Sequence, residues 1–196
     1  WDMVVHLIDS LAVELPIDTS RLYLTGISLG GYGTWHFISE YPDKFAAAVP
    51  VAGGGDTTQV TRYKHLPLWN FHGENDKIVP VERSREMVKA LQNQGKACLY
   101  THCHAGDCDG LSESEIEEAI HSGATFIYTE WQDGPHEIWD QSYDYPYLFP
   151  WVFSQSKDSQ FTGVWQPGTL NADKFNLLQN YPNPFNPETT IKYQLN

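Results

Sequence analysis

One stretch near the start of the chain decides the fold: RLYLTGISLGGYGTWHFISEY, residues 21–41. Its apolar beginning predicts a strand over Arg21–Thr25, and the later apolar spacing predicts a helix over Gly31–Tyr41. Between them lies the motif G-x-S-x-G, formed by Gly26, Ser28 and Gly30. A strand, a serine turn and a helix in this order are typical of a sharp turn that exposes the serine hydroxyl.

Ser28 is therefore a candidate nucleophile. Its backbone would be strained at so sharp a turn, and we expect Gly26 and Gly30 to prevent Cβ clashes across it. The following helix points its N-terminus at Ser28, so the backbone N–H of Leu29 could stabilise a developing oxyanion. The alternative is a glycine-rich turn with an ordinary surface serine. The strand before the motif and the helix after it favour the nucleophile.

Outside this stretch, apolar runs and helical patterns alternate. Strands are predicted over Phe45–Val51, Leu66–Phe71 and Thr125–Trp131, and a helix over Val81–Gln92. Strands this apolar, separated by helices, are typical of a mostly parallel sheet that is covered on both faces. The fold class is therefore predicted to be α/β.

Composition excludes several classes of protein. The 196 residues include 12 Lys and Arg against 25 Asp and Glu, a net charge of −13. Such a surface repels phosphate backbones, which argues against nucleic-acid binding. An apolar fraction of 41% and an aromatic fraction of 14% exclude a wholly disordered chain. No apolar run approaches the roughly 18–20 residues that cross a bilayer.

A serine nucleophile needs an acid and a base, which in this motif class follow the serine in the order Asp or Glu, then His. Glu74 and Asp76 both come just after an apolar strand, on the rim of the sheet where the nucleophile is expected. We choose Asp76 as the acid because it directly precedes an apolar segment and the next helix. Glu74 is interpreted as a solvated neighbour.

His136 is the candidate base, because it too lies in a loop immediately after an apolar strand. A neutral imidazole can take the serine proton and return it to the leaving group. His72 precedes Asp76 in the same loop and is a poor third member of the set. The remaining histidines fall within helical patterns or away from a strand end: His6, His36, His65, His102, His104 and His121.

Four segments together resemble one family. They are Thr25–Trp35, Tyr41–Pro50, Phe71–Pro80 and Pro135–Asp140, and they resemble α/β-hydrolase esterases of the group related to polyhydroxybutyrate depolymerases and feruloyl esterases, many of which are labelled predicted peptidases. The resemblance spans about residues 1–154. It implies an α/β-hydrolase fold, a catalytic triad of Ser28, Asp76 and His136, and hydrolysis of a small or polymer-linked ester through an acyl-enzyme. It implies no cofactor and no metal.

The chain departs from that family in three places. It opens on a helical pattern (Val4, Leu7, Ile8, Leu11 and Leu15), so we expect the catalytic domain to lack its first strands and the His-Gly loop that usually supplies a second oxyanion donor. About 25 residues, Leu99–Gly123, are interpreted as an insertion that forms a flap near the active site. Pro135 stands where a glycine usually precedes the catalytic histidine, with Gly134 one place earlier.

The insertion holds the three cysteines. Cys103 and Cys108 could form a disulfide across a small loop, with Cys98 left free, or all three cysteines could be reduced. A zinc cluster with the neighbouring histidines is an alternative, although the spacing fits no closed zinc pattern. A calcium loop is a weaker one, since Ala105 and Ile116 occupy positions that need carboxylates. Ser112 has the form of a capping box that begins a helix over Glu113–His121.

The C-terminal part is predicted to be a linker over residues 155–176 and the start of a second module over 177–196. Thr189–Leu195 alternates like a strand, with no partner strand predicted in the chain. Leu177–Pro187 resembles the opening of the C-terminal sorting domain of type IX bacterial secretion. This resemblance implies a secreted or cell-surface bacterial protein that engages the secretion machinery.

An aromatic-rich stretch follows His136: Trp139, Tyr143, Tyr145, Tyr147 and Trp151. We interpret it as a final helix that packs on the sheet. The alternative is that Trp139 lines a pocket for an aromatic acyl group such as feruloyl.

Three functions are weighed. The leading one is a secreted carboxylic-ester hydrolase. A peptidase could use the same residues, although no sequence feature indicates a peptide cleft. A non-catalytic binding module could keep the hydrolase fold without the activity, because fold alone does not set function.

Overall fold

A computed structural model describes residues 2–104, 107–108, 111–158, 175–177 and 193–195. The chain divides into two compact units, Trp1–Gly163 and Val164–Asn196.

A six-stranded sheet forms the centre of the first unit. Its strands are β1 (Tyr23–Ile27), β2 (Ala47–Val51), β3 (Leu68–Gly73), β4 (Leu99–His104), β5 (Asp107–Cys108) and β6 (Phe126–Trp131). They lie in the order β1-β2-β3-β6-β4-β5, and every pair is parallel except β4 with β5. The mostly parallel sheet predicted from the sequence is confirmed, with strand ends shifted by one or two residues.

Helices cover both faces of this sheet. They are α1 (Asp2–Glu14), α2 (Leu29–Glu40), α3 (Val60–Tyr63), α4 (Glu82–Asn93), α5 (Glu113–His121), α6 (Trp139–Tyr143) and α7 (Leu148–Ser154). All residues of β2, β3 and β6 are buried, which explains why these strands are apolar runs rather than alternating ones. None of the described helices is long and apolar enough to span a membrane.

Two clusters of buried side chains form the core. One joins Trp69, Phe71 and Trp131 to α7 through Trp151, and the other joins the opposite side of the sheet to α2 and α4. Burying one side chain of this size contributes about 1.5–3 kcal/mol. Tyr145 packs edge-on against Trp69, Phe71 and Trp131, so the prediction that the aromatic stretch packs on the sheet is confirmed for this part.

The segment Leu99–Gly123 is not a flap, and that prediction is wrong. Its first residues form β4, which pairs in parallel with β6 and extends the sheet. Its helix α5 begins at the predicted capping box of Ser112 and buries Ile116 in the core. The physical reason is that β6 offers an open edge whose backbone groups β4 can pair.

Cys103 and Cys108 form a disulfide, and Cys98 is a free thiol. Of the alternatives that the sequence left open, the structure shows the Cys103–Cys108 disulfide. Because the two thiols are bonded to each other, they cannot serve the zinc cluster that was the alternative.

Helix α1 confirms the predicted opening helix and ends two residues before Pro16. Its apolar positions include the exposed residues Met3, Leu7 and Val13, while Val5 packs against the core.

The second unit contains two described strands, β7 (Phe175–Leu177) and β8 (Tyr193–Leu195), which pair in antiparallel fashion. The prediction that the final strand has no partner in the chain is therefore wrong. A three-residue strand is too short to produce a readable alternation, so β7 gave no signal. The predicted sorting motif, Leu177–Pro187, lies outside the described residues except for its first residue.

Residues 155–158, predicted as the start of a linker, belong to the first unit and hydrogen-bond to its N-terminal part. The Tyr23 hydroxyl donates to the Gln155 carbonyl oxygen at 2.9 Å, and the Lys157 N–H donates to the Ser20 carbonyl oxygen at 3.0 Å. Residues 159–174 lie outside the described part of the chain.

Candidate active site

The serine turn connects β1 to α2. Ser28 has φ 53° and ψ −115°, a left-handed conformation that costs a non-glycine residue about 1–3 kcal/mol. Its N–H donates to the Val51 carbonyl oxygen at 2.9 Å, and its own carbonyl oxygen accepts from the Tyr32 N–H at 3.1 Å. The strained turn is thus held by β2 on one side and by the first turn of α2 on the other.

Of the two glycines in the motif, Gly26 must lack a side chain and Gly30 need not. A Cβ at Gly26 would lie 2.3 Å from the Gly30 carbonyl oxygen, as the sequence predicted. The prediction for Gly30 is wrong, because a Cβ there would meet no atom within 4 Å. The second close approach is instead at Gly31, where a Cβ would lie 2.5 Å from the Val51 carbonyl oxygen and 3.2 Å from Gly53.

The structure brings Ser28, His136 and Asp76 into one hydrogen-bonded row. His136 Nε2 lies 2.9 Å from Ser28 Oγ, and His136 Nδ1 lies 2.7 Å from Asp76 Oδ2. A carboxylate can only accept, so the ring proton sits on Nδ1 and Nε2 is left to accept from the Ser28 hydroxyl. Ser28 is half-buried, whereas Asp76 and His136 are buried.

Both carboxylate oxygens of Asp76 accept hydrogen bonds. Its Oδ1 accepts from the backbone N–H groups of Ile78 and Val79, each at 2.8 Å, while Oδ2 faces His136. Burial by itself would raise the pKa of Asp76, but the hydrogen bonds from His136, Val79 and Ile78 outweigh it and hold that pKa below its ordinary value. The carboxylate is therefore ionised at neutral pH.

Asp76 and His136 come together because β3 and β6 are neighbours in the sheet. Gly73 pairs with Trp131 at the ends of these strands, and the loops that follow exchange a hydrogen bond from the Asn75 N–H to the Gly134 carbonyl oxygen. A Cβ at Gly134 would lie 2.9 Å from the Trp131 carbonyl oxygen. The glycine that this loop needs is therefore residue 134, which leaves position 135 open to proline.

Leu29 is the first residue of α2, and its side chain is 83% exposed. The first N–H groups of a helix have no partner within the helix, so the Leu29 N–H can donate to an oxyanion that develops beside Ser28. The indole of Trp139 stands edge-on to the His136 ring, with 5.9 Å between centroids.

Sequence reasoning missed one member of this site, His72. The ring is fully buried, with Nε2 3.3 Å from Asp76 Oδ2 and 2.9 Å from the Val79 carbonyl oxygen. Its Nδ1 lies 2.7 Å from the hydroxyl of Ser84 on α4. The one sequence feature that could have indicated this role is a histidine at the end of an otherwise apolar strand. The contact with Ser84 could not be predicted, because it depends on how α4 packs.

A second charged group lies beside the acid loop. Glu74, His102 and Glu130 are the described residues whose ligand atoms all fall within 4.8 Å of one another, close enough for a metal ion. Glu130 already accepts from Arg85 Nε at 2.9 Å, from Arg85 Nη2 and from the Tyr128 hydroxyl at 2.7 Å. The carboxylate is thus occupied by a cation and a hydroxyl, which makes an ion-pair network the better description.

Burial alone would raise the pKa of Glu130, but the hydrogen bonds from Arg85 and Tyr128 outweigh it and lower that pKa. Glu74, interpreted from sequence as a solvated neighbour, is half-buried; it accepts from the Asp133 N–H at 3.2 Å and lies 3.4 Å from His102 Nε2.

Comparisons with known proteins agree with this architecture. Residues 2–70 match the model of the prolyl oligopeptidase family. The chain is 32% identical over 91 residues to a bifunctional acetylxylan esterase/xylanase of Neocallimastix patriciarum, covering 46% of this chain and 14% of that protein. It is 41% identical over 51 residues to poly(3-hydroxyalkanoate) depolymerase C of Paucimonas lemoignei, covering 26% of this chain and 12% of that one.

Among solved structures, the chain is similar to a thermostable esterase, with a TM-score of 0.61 and 36% identity over 79% of this chain and 36% of that one. The chain therefore spans about a third or less of the length of these relatives. Together with the mostly parallel, helix-covered sheet, this likeness shows the α/β-hydrolase fold that the sequence predicted.

Proposed function

We propose that this chain is a serine hydrolase that cleaves carboxylic esters. Ser28 is the nucleophile, His136 the general base and acid, and Asp76 the carboxylate that orients His136. The observation that carries the proposal is the unbroken path from Asp76 Oδ2 through His136 to Ser28 Oγ, with contacts of 2.7 and 2.9 Å.

The geometry supports a two-step acyl transfer. Ser28 Oγ attacks the acyl carbon while His136 Nε2 takes the hydroxyl proton, and the carbonyl oxygen becomes an oxyanion beside the Leu29 N–H. The intermediate collapses, His136 returns the proton to the departing alcohol, and an ester of Ser28 remains. Water then attacks this ester, again giving its proton to His136, and releases the acid and the free serine.

Esters are favoured as substrates because the relatives described above are named as an acetylxylan esterase, a polyhydroxyalkanoate depolymerase and a thermostable esterase. The match of residues 2–70 to the prolyl oligopeptidase family supports a second candidate, a peptidase that uses the same three residues. An alcohol leaves more readily than an amine, so ester cleavage makes the smaller demand on this site. A non-catalytic binding module is the third candidate.

The substrate we favour carries an acyl group or alcohol that packs against apolar surface. Leu29 and Ile78, which flank Ser28 and Asp76 in sequence, are 83% and 65% exposed. Trp139 adds an aromatic edge beside His136. These side chains would contact an aromatic acyl group such as feruloyl, and would lose water on binding it.

We further propose that residues 1–154 form the catalytic domain, 155–176 a linker and 177–196 the start of a type IX sorting module. The disulfide between Cys103 and Cys108 supports an extracellular or cell-surface location, because such bonds persist in oxidising compartments. The resemblance of Leu177–Pro187 to the sorting domain is the basis for the secretion route.

Hydrolysis of 4-nitrophenyl acetate, methyl ferulate and a matched 4-nitroanilide tests the proposal, together with intact mass after treatment with an organophosphonate. We expect ester turnover and a single adduct, both lost in Ser28→Ala. Ser10→Ala is the matched control, because Ser10 lies on the exposed face of α1 with its hydroxyl on the His6 carbonyl oxygen.

Each other outcome selects a different function. Faster cleavage of the anilide than of the esters would identify the peptidase. Ester turnover that persists in Ser28→Ala would overturn the assignment of the nucleophile. Neither turnover nor adduct in the natural sequence would favour the binding module.

A further inference from the structure

His72 is the one buried imidazole in the described part of the chain that contacts the acid of the proposed site without contacting Ser28. The ring lies at the end of β3, and its exposed fraction is 0%. Three groups surround its two nitrogens: the Asp76 carboxylate, the Val79 carbonyl oxygen and the Ser84 hydroxyl.

The position of the ring proton follows from these partners. Nε2 faces Val79 O at 2.9 Å and Asp76 Oδ2 at 3.3 Å, and both of these oxygens can only accept. Nε2 must therefore carry a proton. Burial lowers the pKa of His72, which keeps the ring neutral and Nδ1 unprotonated. The single Ser84 hydroxyl proton is then shared between Nδ1 at 2.7 Å and the Gly53 carbonyl oxygen at 3.0 Å.

Four groups therefore face the two oxygens of Asp76. The Ile78 and Val79 N–H groups donate to Oδ1, His136 Nδ1–H donates to Oδ2, and His72, whose Nε2–H donates to the Val79 carbonyl oxygen, lies beside Oδ2 with Nε2 3.3 Å away. Without His72, His136 would be the one described group against Oδ2, and His136 must change protonation state during turnover.

Ser84, which contacts His72 Nδ1, also contacts the segment that supports the serine turn. Ser84 Oγ also lies 3.0 Å from the Gly53 carbonyl oxygen. A Cβ at Gly53 would lie 2.6 Å from the Gly31 carbonyl carbon, so Gly53 packs directly on the start of α2. Ser84 thus ties the acid loop to the segment that supports Ser28.

We propose that His72 is a positioning residue, which with Ser84 behind it holds Asp76 Oδ2 in the orientation that meets His136. Its effect on turnover rests on the proposed function, whereas its effect on the Asp76–His136 hydrogen bond does not. Small displacements of a positioned group cost about tenfold or more in rate, so the effect should fall on kcat rather than KM.

His72→Gln and His72→Asn form a matched pair that tests this role. The glutamine amide nitrogen reaches the place of Nε2 and can still donate to Asp76, whereas the shorter asparagine reaches only the place of Nδ1 and keeps the Ser84 side. Both remove the ring. We expect His72→Asn to lower kcat by about tenfold with KM unchanged, and His72→Gln to stay within about threefold of the natural sequence.

The low-field proton signal of His136 Nδ1–H gives a readout that does not depend on substrate. It should shift or broaden in His72→Asn and persist in His72→Gln. Ser84→Ala, which removes the donor to Nδ1 with a smaller change of volume, should shift the signal in the same direction and serves if His72→Asn fails to fold.

If the two His72 variants lost the same amount of kcat, and their unfolding midpoints fell by the same amount, His72 would be a packing residue. This result would overturn the proposal. An unchanged His136 signal in His72→Asn and Ser84→Ala would overturn it as well. Absence of ester turnover in the natural sequence would instead contradict the proposed function, while a signal that depends on His72 would still support its positioning role.

Discussion

Gly73 lies against the backbone of Pro135: a Cβ at Gly73 would fall 2.2 Å from the Pro135 carbonyl oxygen and 2.5 Å from that of Gly134. The loop after β3 and the loop after β6 therefore touch backbone to backbone. One loop carries Asp76 and the other carries His136, so this contact sets the distance between the proposed acid and base. A side chain at position 73 would separate them.

Gly73→Ala should lower both stability and activity. Relief of a clash with backbone atoms requires one loop to move, at a cost of about 3 kcal/mol in the free energy of unfolding. Urea unfolding at neutral pH measures the first effect, and kcat for an ester the second. Gly30→Ala is the stability control, because a Cβ there would meet no atom within 4 Å, and its unfolding free energy should change by less than about 1 kcal/mol. Equal destabilisation by the two substitutions would contradict this account.

Asp76→Asn should lower kcat by about 10³-fold or more with little change in KM. The Ile78 and Val79 N–H groups require an oxygen at the Oδ1 position, so the new amide NH₂ would take the Oδ2 position and face the N–H of His136. His136 must then move its proton to Nε2, where it cannot accept from Ser28. Glu74→Gln is the matched control in the same loop and should leave kcat within about threefold. A larger loss in Glu74→Gln would reassign the acid.

Arg85→Met should lower the free energy of unfolding at neutral pH by about 1–3 kcal/mol. This cost is smaller than for a fully buried ion pair, because the Arg85 side chain is 45% exposed and solvent screens its charge. The substitution leaves the buried Glu130 carboxylate without its cation. Arg83→Met is the control, since Arg83 pairs only with exposed Glu86 among the ion pairs of the described residues, and should cost less than about 1 kcal/mol. Urea unfolding of both variants at pH 7 measures the difference.

The Arg85–Glu130 ion pair should also make part of the free energy of unfolding sensitive to acid. Because the pKa of Glu130 is lower in the fold than in the unfolded chain, its contribution is complete above the unfolded value of about 4.3 and disappears as the pH falls through the folded value. Arg85→Met raises the folded pKa of Glu130, so the variant should lose less stability between pH 5 and pH 3 than the natural sequence, by roughly 1 kcal/mol. Parallel stability curves for the two proteins over this range would refute the prediction.

The three cysteines should behave differently toward thiol reagents. Without reductant, one thiol should be titratable after unfolding, that of Cys98. In the native protein at pH 8 it should react slowly, because burial raises the pKa of the Cys98 thiol to about 12 and thiolate is scarce. Replacing Cys103 and Cys108 by alanine should lower the free energy of unfolding by about 2 kcal/mol, the loop-closure value for so short a loop. Three reactive thiols without reductant would contradict the pairing.

Local patterns in the sequence identified most of the elements that build the proposed site. The strands β2, β3 and β6 could be predicted as apolar runs, because central strands of a parallel sheet bury both faces. Asp76 and His136 could be predicted as site residues because each follows such a run, and neighbouring parallel strands bring their carboxyl ends to the same edge of the sheet. Contacts that depend on distant segments could not be read in this way. β4 was taken for part of an insertion relative to the esterases that the chain resembles, because its pairing with β6 depends on such a distant contact.

The sequence by itself determined the class of fold, the place of the serine turn and the capping box of α5, and it offered the pairing of Cys103 with Cys108 as one alternative that the structure then selected. Only the tertiary structure decided that Gly31 rather than Gly30 needs to lack a side chain, that Gly73 must meet Pro135, and that His72 and Ser84 stand behind Asp76. These relationships join strands and helices through packing. Periodicity and spacing carry no information about which atoms meet across a sheet, since that depends on the closest arrangement the whole core allows.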